Sequence, residues 1–301
     1  MADAPRGELD RRTFLRLGTA AAGAAAFGLA APHADAAPAS ATEARFDQID
    51  GVPLHYWRWT DGTAGRRTQQ RTFASTNEFH DRLVRWVRDL RDLSWWFGGF
   101  QGMHQIVTAG LFVAKPGHHG LGQAFDLDQV VWANGAITPY AREHASTDRR
   151  VVRRYLALDA VCRRHFRYVL DGRYNADHAD HLHMDFAGGW LRCDRTSRSD
   201  TVFVQQVLNA HQGAGLPISG VWDGATQAAF EDSRRRLGVG GDPSADTVEW
   251  RHWLLRAAAC GFADVDFAAA PPDIVDPLRD VVDHVLTETE KGLTELLGLL
   301  Q

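Results

Sequence analysis

Apolar residues recur at three- and four-residue steps through Phe79, Leu83, Trp86, Val87 and Leu90. That spacing predicts an amphipathic helix over 76–90, capped by Ser75 or Thr76. A second stripe, Val151, Val152, Tyr155, Leu156, Leu158, Val161 and Cys162, predicts a long helix over 148–166. Between the two the pattern shortens to strand-like runs at 106–113 and 125–132, with Asn134-Gly135 as a hairpin turn into Ala136-Ile137. Further strands are expected at 168–170 and 181–186, separated by a turn at Asp171-Gly172. The stretch 46–59 alternates unevenly and reads as a short strand or a wrapping arm, and 61–70, rich in Gly, Thr and Arg, reads as loop. Helices on one side of a small, mainly antiparallel sheet give an α+β fold. The cluster Trp95-Trp96-Phe97-Gly98-Gly99-Phe100 reads first as core packing and second as an aromatic platform for a substrate.

Past a polar arginine- and serine-rich stretch at 194–200, taken as a domain linker, the character changes. Val202, Val204, Val207 and Leu208 predict a helix, and a second follows Gly220-Val221-Trp222-Asp223-Gly224 with Thr226 as its cap. A third covers 248–255 with Trp250, Trp253 and Leu254. The expectation is a small all-α bundle. Beyond Pro271-Pro272 two more apolar stripes, at 278–286 and 293–300, predict a helical tail whose default role is packing.

Composition narrows this picture. A chain of 301 residues, 45% hydrophobic and 24% charged, is an ordinary globular protein of one large or two modest domains. A net charge of -5 with no basic arm argues against a nucleic-acid partner. At the N-terminus Asp10-Arg11-Arg12-Thr13-Phe14-Leu15-Arg16 precedes an Ala/Gly-rich run over 17–31 and then Ala34-Asp35-Ala36. Paired arginines, a weak apolar stretch and a small-x-small site read as a twin-arginine export signal cleaved near Ala36. The apolar run is shorter than the ~20 residues a bilayer span needs, so no transmembrane span is expected in the mature, secreted protein. In an oxidising compartment Cys162 and Cys193 are candidates for a disulfide, leaving Cys260 over. The expected layout is thus a signal at 1–36, a first domain at 37–195, a helical module at 198–258 and a tail at 259–301.

The candidate chemistry sits in two separated stretches. His119 and Asp126 bracket a glycine-rich turn, and Asp180-His181-Leu182-His183-Met184-Asp185 alternates polar and apolar, so His181 and His183 share one face of a strand. Histidine and carboxylate without cysteine suit zinc, and a catalytic zinc keeps three protein ligands with one position open. His119, Asp126 and His183 meet that count. Asp180 and His181 are the candidates for moving a proton. His178 is left as a supporting, substrate-facing or merely exposed group. No nucleophile elbow or Cys/His signature supports a serine or cysteine hydrolase.

The pattern His119-x-x-Gly122-x-Ala124-x-Asp126 followed by Asp180-His181-x-His183 resembles the zinc D-alanyl-D-alanine carboxypeptidase and L-alanyl-D-glutamate endopeptidase (hedgehog-like) superfamily. The run from His178 to Asp185 looks most like its extensin-like C-terminal domain branch, and the likeness covers about residues 70 to 193. The resemblance implies a small α+β zinc peptidase acting on cell-wall peptides, with His119, Asp126 and His183 on the metal. It further implies Asp180 as base and His181 assisting it or holding the transition state. Residues about 200 to 257, around Ser219-Gly220-Val221-Trp222 and Thr226, resemble a peptidoglycan-binding domain-like module. The chain departs from the superfamily in carrying Gly117 where Ser is common. It carries Phe112-Val113-Ala114-Lys115 where the branch often has an Arg or Cys-Arg pair. Those departures keep a second expectation open, a non-catalytic wall-binding or structural protein that retains the zinc fold.

Overall fold

The computed structural model describes residues 44–59, 66–114, 116–186 and 188–267. Of the two compact units into which the chain divides, Met1–Ala39 falls outside that range, and the fold below belongs to Ser40–Gln301. The expected export signal with its expected cleavage site near Ala36, the segment up to residue 43 and the expected helical tail beyond Phe267 therefore lie outside the described residues.

The protein is mixed α/β, with five α-helices among the described residues. In chain order the strands are β1 (Ala44–Phe46), β2 (Gln48–Ile49), β3 (Val52–Trp59), β4 (Arg66–Gln70) and β5 (Phe73–Ser75). They continue with β6 (Met103–Gly110), β7 (Ala124–Trp132), β8 (Gly135–Ile137), β9 (Tyr168–Leu170) and β10 (Leu182–Asp185). The helices are α1 (Asn77–Gly98), α2 (Arg149–Arg163), α3 (Arg198–Gln212), α4 (Gly224–Arg236) and α5 (Thr247–Ala263). One sheet runs β2-β3-β6-β7-β10-β9, with β4 beside β3 and β8 beside β7, and β1 pairs β5 separately. Among the described pairs β3 and β6 are parallel and the others antiparallel.

Local chemistry explains the element ends. Thr76 caps α1, its hydroxyl accepting from the Phe79 amide at 3.2 Å. The helix runs on past Leu90 because Leu93 and Ser94 continue the buried face, and it stops at Gly99, whose φ of 64° an L side chain resists. The extension carries Trp95 and Trp96 onto the surface, 53% and 64% exposed, while Phe100 is buried, so the aromatic cluster divides rather than packing as one. The stretch 66–70, expected as loop, pairs with β3. Between β2 and β3 the turn is Asp50-Gly51, with φ of 48° and 80°, the two left-handed positions of a tight hairpin. In the C-terminal half Asp223, not Thr226, caps α4. Asp223 accepts from the Thr226 amide at 2.8 Å, while the buried Thr226 hydroxyl takes the Gln205 side-chain amide.

One buried core joins both halves, running from Ile49 in β2 to Phe267. On α1, Trp86 meets Phe125 of β7 and Phe166 at ring separations of 6.1 and 6.4 Å. Helix α5 is buried continuously from Trp253 to Phe262, and it lies along α2 and α1, as a helix buried on most sides does. Where α5 crosses α2, a Cβ on Gly261 would stand 2.6 Å from the Arg153 carbonyl oxygen and 2.8 Å from the Ala157 methyl. The stretch 194–200 is likewise tied down. Ser197 caps α3, the Asp194 amide donates to Asp200 at 2.9 Å, and the buried Arg163 guanidinium binds Asp159, Asp200 and the Val169 carbonyl at 2.8 to 2.9 Å.

The expected bond between Cys162 and Cys193 is corrected by the structure: both thiols, and that of Cys260, are free and buried. They sit in different surroundings, Cys162 on α2 against Trp86 and Cys193 near Asp200 and Arg195, and burial raises both thiol pKa values. No helix among the described residues is long and apolar enough to cross a membrane.

A core shared by both halves has a measurable consequence. The protein should unfold in one transition, and Gly261→Ala should lower its stability by about 1–3 kcal/mol, because overpacking outweighs the better helix propensity of alanine. Urea denaturation followed by both tryptophan fluorescence and circular dichroism checks this. An unchanged midpoint would show that α5 and α2 are not in contact.

Candidate metal centre

Three strands and one turn bring the site together. Asp126 lies near the start of β7, and His183 of β10 is its direct cross-strand partner. On the other side β6 ends in a bulge between Thr108 and Gly110, where the Thr108 hydroxyl donates to the Asp126 carbonyl at 2.7 Å. His119 comes from the 3-10 turn His118–Leu121 that links β6 to β7. That turn is closed by Gly122 at φ 67° and stitched down where the Gln123 amide meets the His118 carbonyl and the Thr76 amide meets the Gly122 carbonyl. The glycines at 117 and 122, both at positive φ, give the backbone the conformation that brings His119 inward.

The ligand atoms of His119, Asp126 and His183 all lie within 4.8 Å of one another. Nε2 of His119 stands 3.2 Å from Asp126, and Nδ1 of His183 stands 2.8 Å from it. The far nitrogen of each ring is already committed. His119 Nδ1 meets the Leu111 carbonyl at 2.5 Å, and His183 Nε2 meets the Asp185 carboxylate at 3.1 Å. A carbonyl and an ionised carboxylate only accept, so both far nitrogens carry the proton. The near nitrogen of a neutral ring would therefore present a lone pair to the carboxylate, which repels it unless a cation stands between. A bound proton satisfies that need, and so does a divalent metal. The donor set of two imidazoles and one carboxylate fits zinc.

Without a metal, a proton on His183 fills that place. Burial pushes the Asp126 carboxyl up, yet the hydrogen bonds from His119 and His183 overcome it and hold the group well below the usual carboxylate range. Burial pulls His183 down, but Asp126 and Asp185 outweigh it and raise the ring to about 9. His178 behaves differently: burial, then the neighbouring His181 and His183, lower it to about 4, so it is neutral near pH 7.

The remaining candidates gather round the same point. His181 precedes β10, and its Nε2 lies 3.7 Å from Asp126 while its Nδ1 meets the Asp180 carboxylate at 3.0 Å. Asp180 is thus placed behind His181. His178 sets its ring tilted 5.2 Å from that of His181 and edge-on 5.8 Å from that of His183, with Nδ1 held by Asn175 at 2.6 Å. Two groups of the site were not anticipated. Asp185 was recoverable from sequence, since residues 181, 183 and 185 alternate onto one face of a strand. The Leu111 carbonyl was not, because a main-chain oxygen leaves no mark in a sequence.

No curated protein and no solved structure matches the chain. Residues 108–194, from the end of β6 through the second histidine stretch to the cysteine-bearing segment before α3, match the family model described as Extensin-like protein C-terminus.

Proposed function

We propose that this chain is an exported zinc-dependent peptidase, a carboxypeptidase or endopeptidase, that hydrolyses the stem peptides of peptidoglycan and is held on the wall by its C-terminal helices. The observation that carries the reading is the convergence of His119, Asp126 and His183, with each imidazole oriented by an acceptor on its far side. The extensin-like match supports the same region. His119 Nε2, His183 Nδ1 and an Asp126 oxygen would hold the metal. A bound zinc supplies Lewis acidity to the scissile carbonyl and lowers the pKa of a water molecule.

The protein's own groups then divide the work. Asp180 fixes the Nδ1 proton of His181 and leaves Nε2 turned toward the centre, so the two act as a unit. This pair takes a proton from the attacking water and returns it to the amine nitrogen as the peptide C–N bond breaks. His178, neutral and in ring contact with both histidines, keeps His181 in place and contributes no second positive charge. Phe112, Val113 and Leu121, all exposed and adjoining the His119 turn, offer apolar contact to alanine-rich peptides. The small helices α3 and α4, with the Ser219 to Thr226 segment between them, are the part read as the wall-binding module.

Two measurements test the proposal. Metal-free His183 keeps its proton up to about pH 9, so zinc must displace that proton at lower pH. Affinity should rise with pH by about tenfold per unit between about pH 6 and 8, and Asp185→Ala should weaken it about 10–100-fold by freeing the His183 ring. Competition with a chelator across pH reads both; a flat profile would count against the ligand set. Asp180→Asn and His181→Ala should keep zinc while slowing release of D-alanine or stem peptides from purified wall by about 10²–10⁴-fold. Zinc bound with no cleavage by the wild-type protein would instead favour the wall-binding reading.

A further inference from the structure

The sheet carries a recess at the end away from the candidate metal centre. Asp126 and Trp132 are both on β7, six residues apart, which at about 3.3 Å per residue puts the two places roughly 20 Å from one another. The recess has a volume of about 340 Å³ and is lined in part by Asp50, Arg91, Asp92, Trp95, Phe100 and Trp132. That size falls within the range of small-molecule sites.

Its walls are aromatic and fixed. Phe100 and Trp132 are buried and packed ring to ring at 4.5 Å. Trp95 sits one helical turn beyond Arg91 and Asp92 on α1, braced edge-on by Trp96 at 4.7 Å, with 53% of its surface uncovered. A tryptophan that is braced by a neighbour, half exposed and set at the rim of a cavity is a ready stacking surface.

The charges around it cancel. Asp50, presented by its tight hairpin, takes Arg88 on one oxygen at 2.9 to 3.0 Å and Arg91 on the other at 3.0 Å, and a second Arg91 nitrogen binds the Asp50 carbonyl. Asp92 accepts no hydrogen bond from a described residue, and burial together with Asp89 and Asp50 raises its pKa. Two carboxylates and two guanidinium groups sum to zero. An anion would find Arg91 already engaged and Asp92 repelling it. A cation would meet Arg88 and Arg91. What fits is a neutral ring with one apolar face, to lie on Trp95, and hydroxyl groups at its edge, to donate to Asp92.

We propose that the recess formed by Asp50, Arg91, Asp92, Trp95, Phe100 and Trp132 is a saccharide-binding subsite, with Trp95 as the stacking platform and Asp92 as the hydroxyl acceptor. It stands apart from the metal centre and does not depend on what that centre does. Two sources share this chemistry, N-acetylated wall glycans and plain β-glucans. The test is calorimetric titration of the full chain with the β-1,4-linked tetramer of N-acetylglucosamine and, separately, of glucose. Binding of either supports the proposal, and the preferred tetramer identifies the source. Trp95→Ala should weaken binding about tenfold or more, and Asp92→Ala severalfold, whereas Trp190→Ala, which removes another exposed tryptophan, should leave it unchanged. Failure of both tetramers to bind at millimolar concentration, or undiminished binding by Trp95→Ala, would overturn the assignment.

Discussion

Two acceptors on the outer sides of the histidine rings govern the chemistry of the site. The Leu111 carbonyl and the Asp185 carboxylate each claim the outer proton of a histidine ring, and so decide which nitrogen faces Asp126. Without them His119 and His183 would be free to rotate or change tautomer, and three nearby groups would be only a polar cluster. With them, lone pairs and a carboxylate are aimed at one small volume, an arrangement that repels itself until a positive charge enters. The surrounding fold serves that alignment. The β6 bulge and the glycines at 117 and 122 set the turn that carries His119, while strand pairing sets His183 opposite Asp126.

Behind β10 the support is electrostatic as well as apolar. Arg163 is buried between Asp159 and Asp200 and also donates to the Val169 carbonyl of β9, the strand that backs β10. A charge this deep is tolerable only because its partners are hydrogen-bonded to it, and removing one carboxylate would strand the guanidinium. The same residue joins α2, α3 and the sheet. The position of His183 is therefore coupled to α3, which begins just past the stretch matching the extensin-like family.

Much of this was legible in the sequence, and the gaps have physical causes. The 3.6-residue stripes marked α1 and α2, and the separated His/Asp stretches marked the groups that converge. The continuation of α1 past Leu90 was hidden because Trp95 and Trp96 look like core residues by type, yet the helix turns them outward. Asp50-Gly51 is a strong hairpin dipeptide, but a two-residue strand beside it gave no alternation to flag. Thr226 has the chemistry of a cap and lies three residues past the real one; burial against Gln205 gave its hydroxyl another partner. The cysteine pairing failed because compartment and spacing say nothing about which packing environment each thiol enters.

The insertion of α5 into the groove between α1 and α2 bears on how the chain comes to be folded at all. Helix α1 ends at Gly98 and α5 begins at Thr247, so although Trp86 can meet Phe125 and Phe166 earlier, about half the polypeptide must emerge from the ribosome before the part of α1 that α5 covers finds its lid. Contacts so distant along the chain form late and slowly. A nascent chain of this kind leaves part of an apolar helix face open through about half of its synthesis, and a chain cut after residue 194, with α1 but without α5, would keep that exposure.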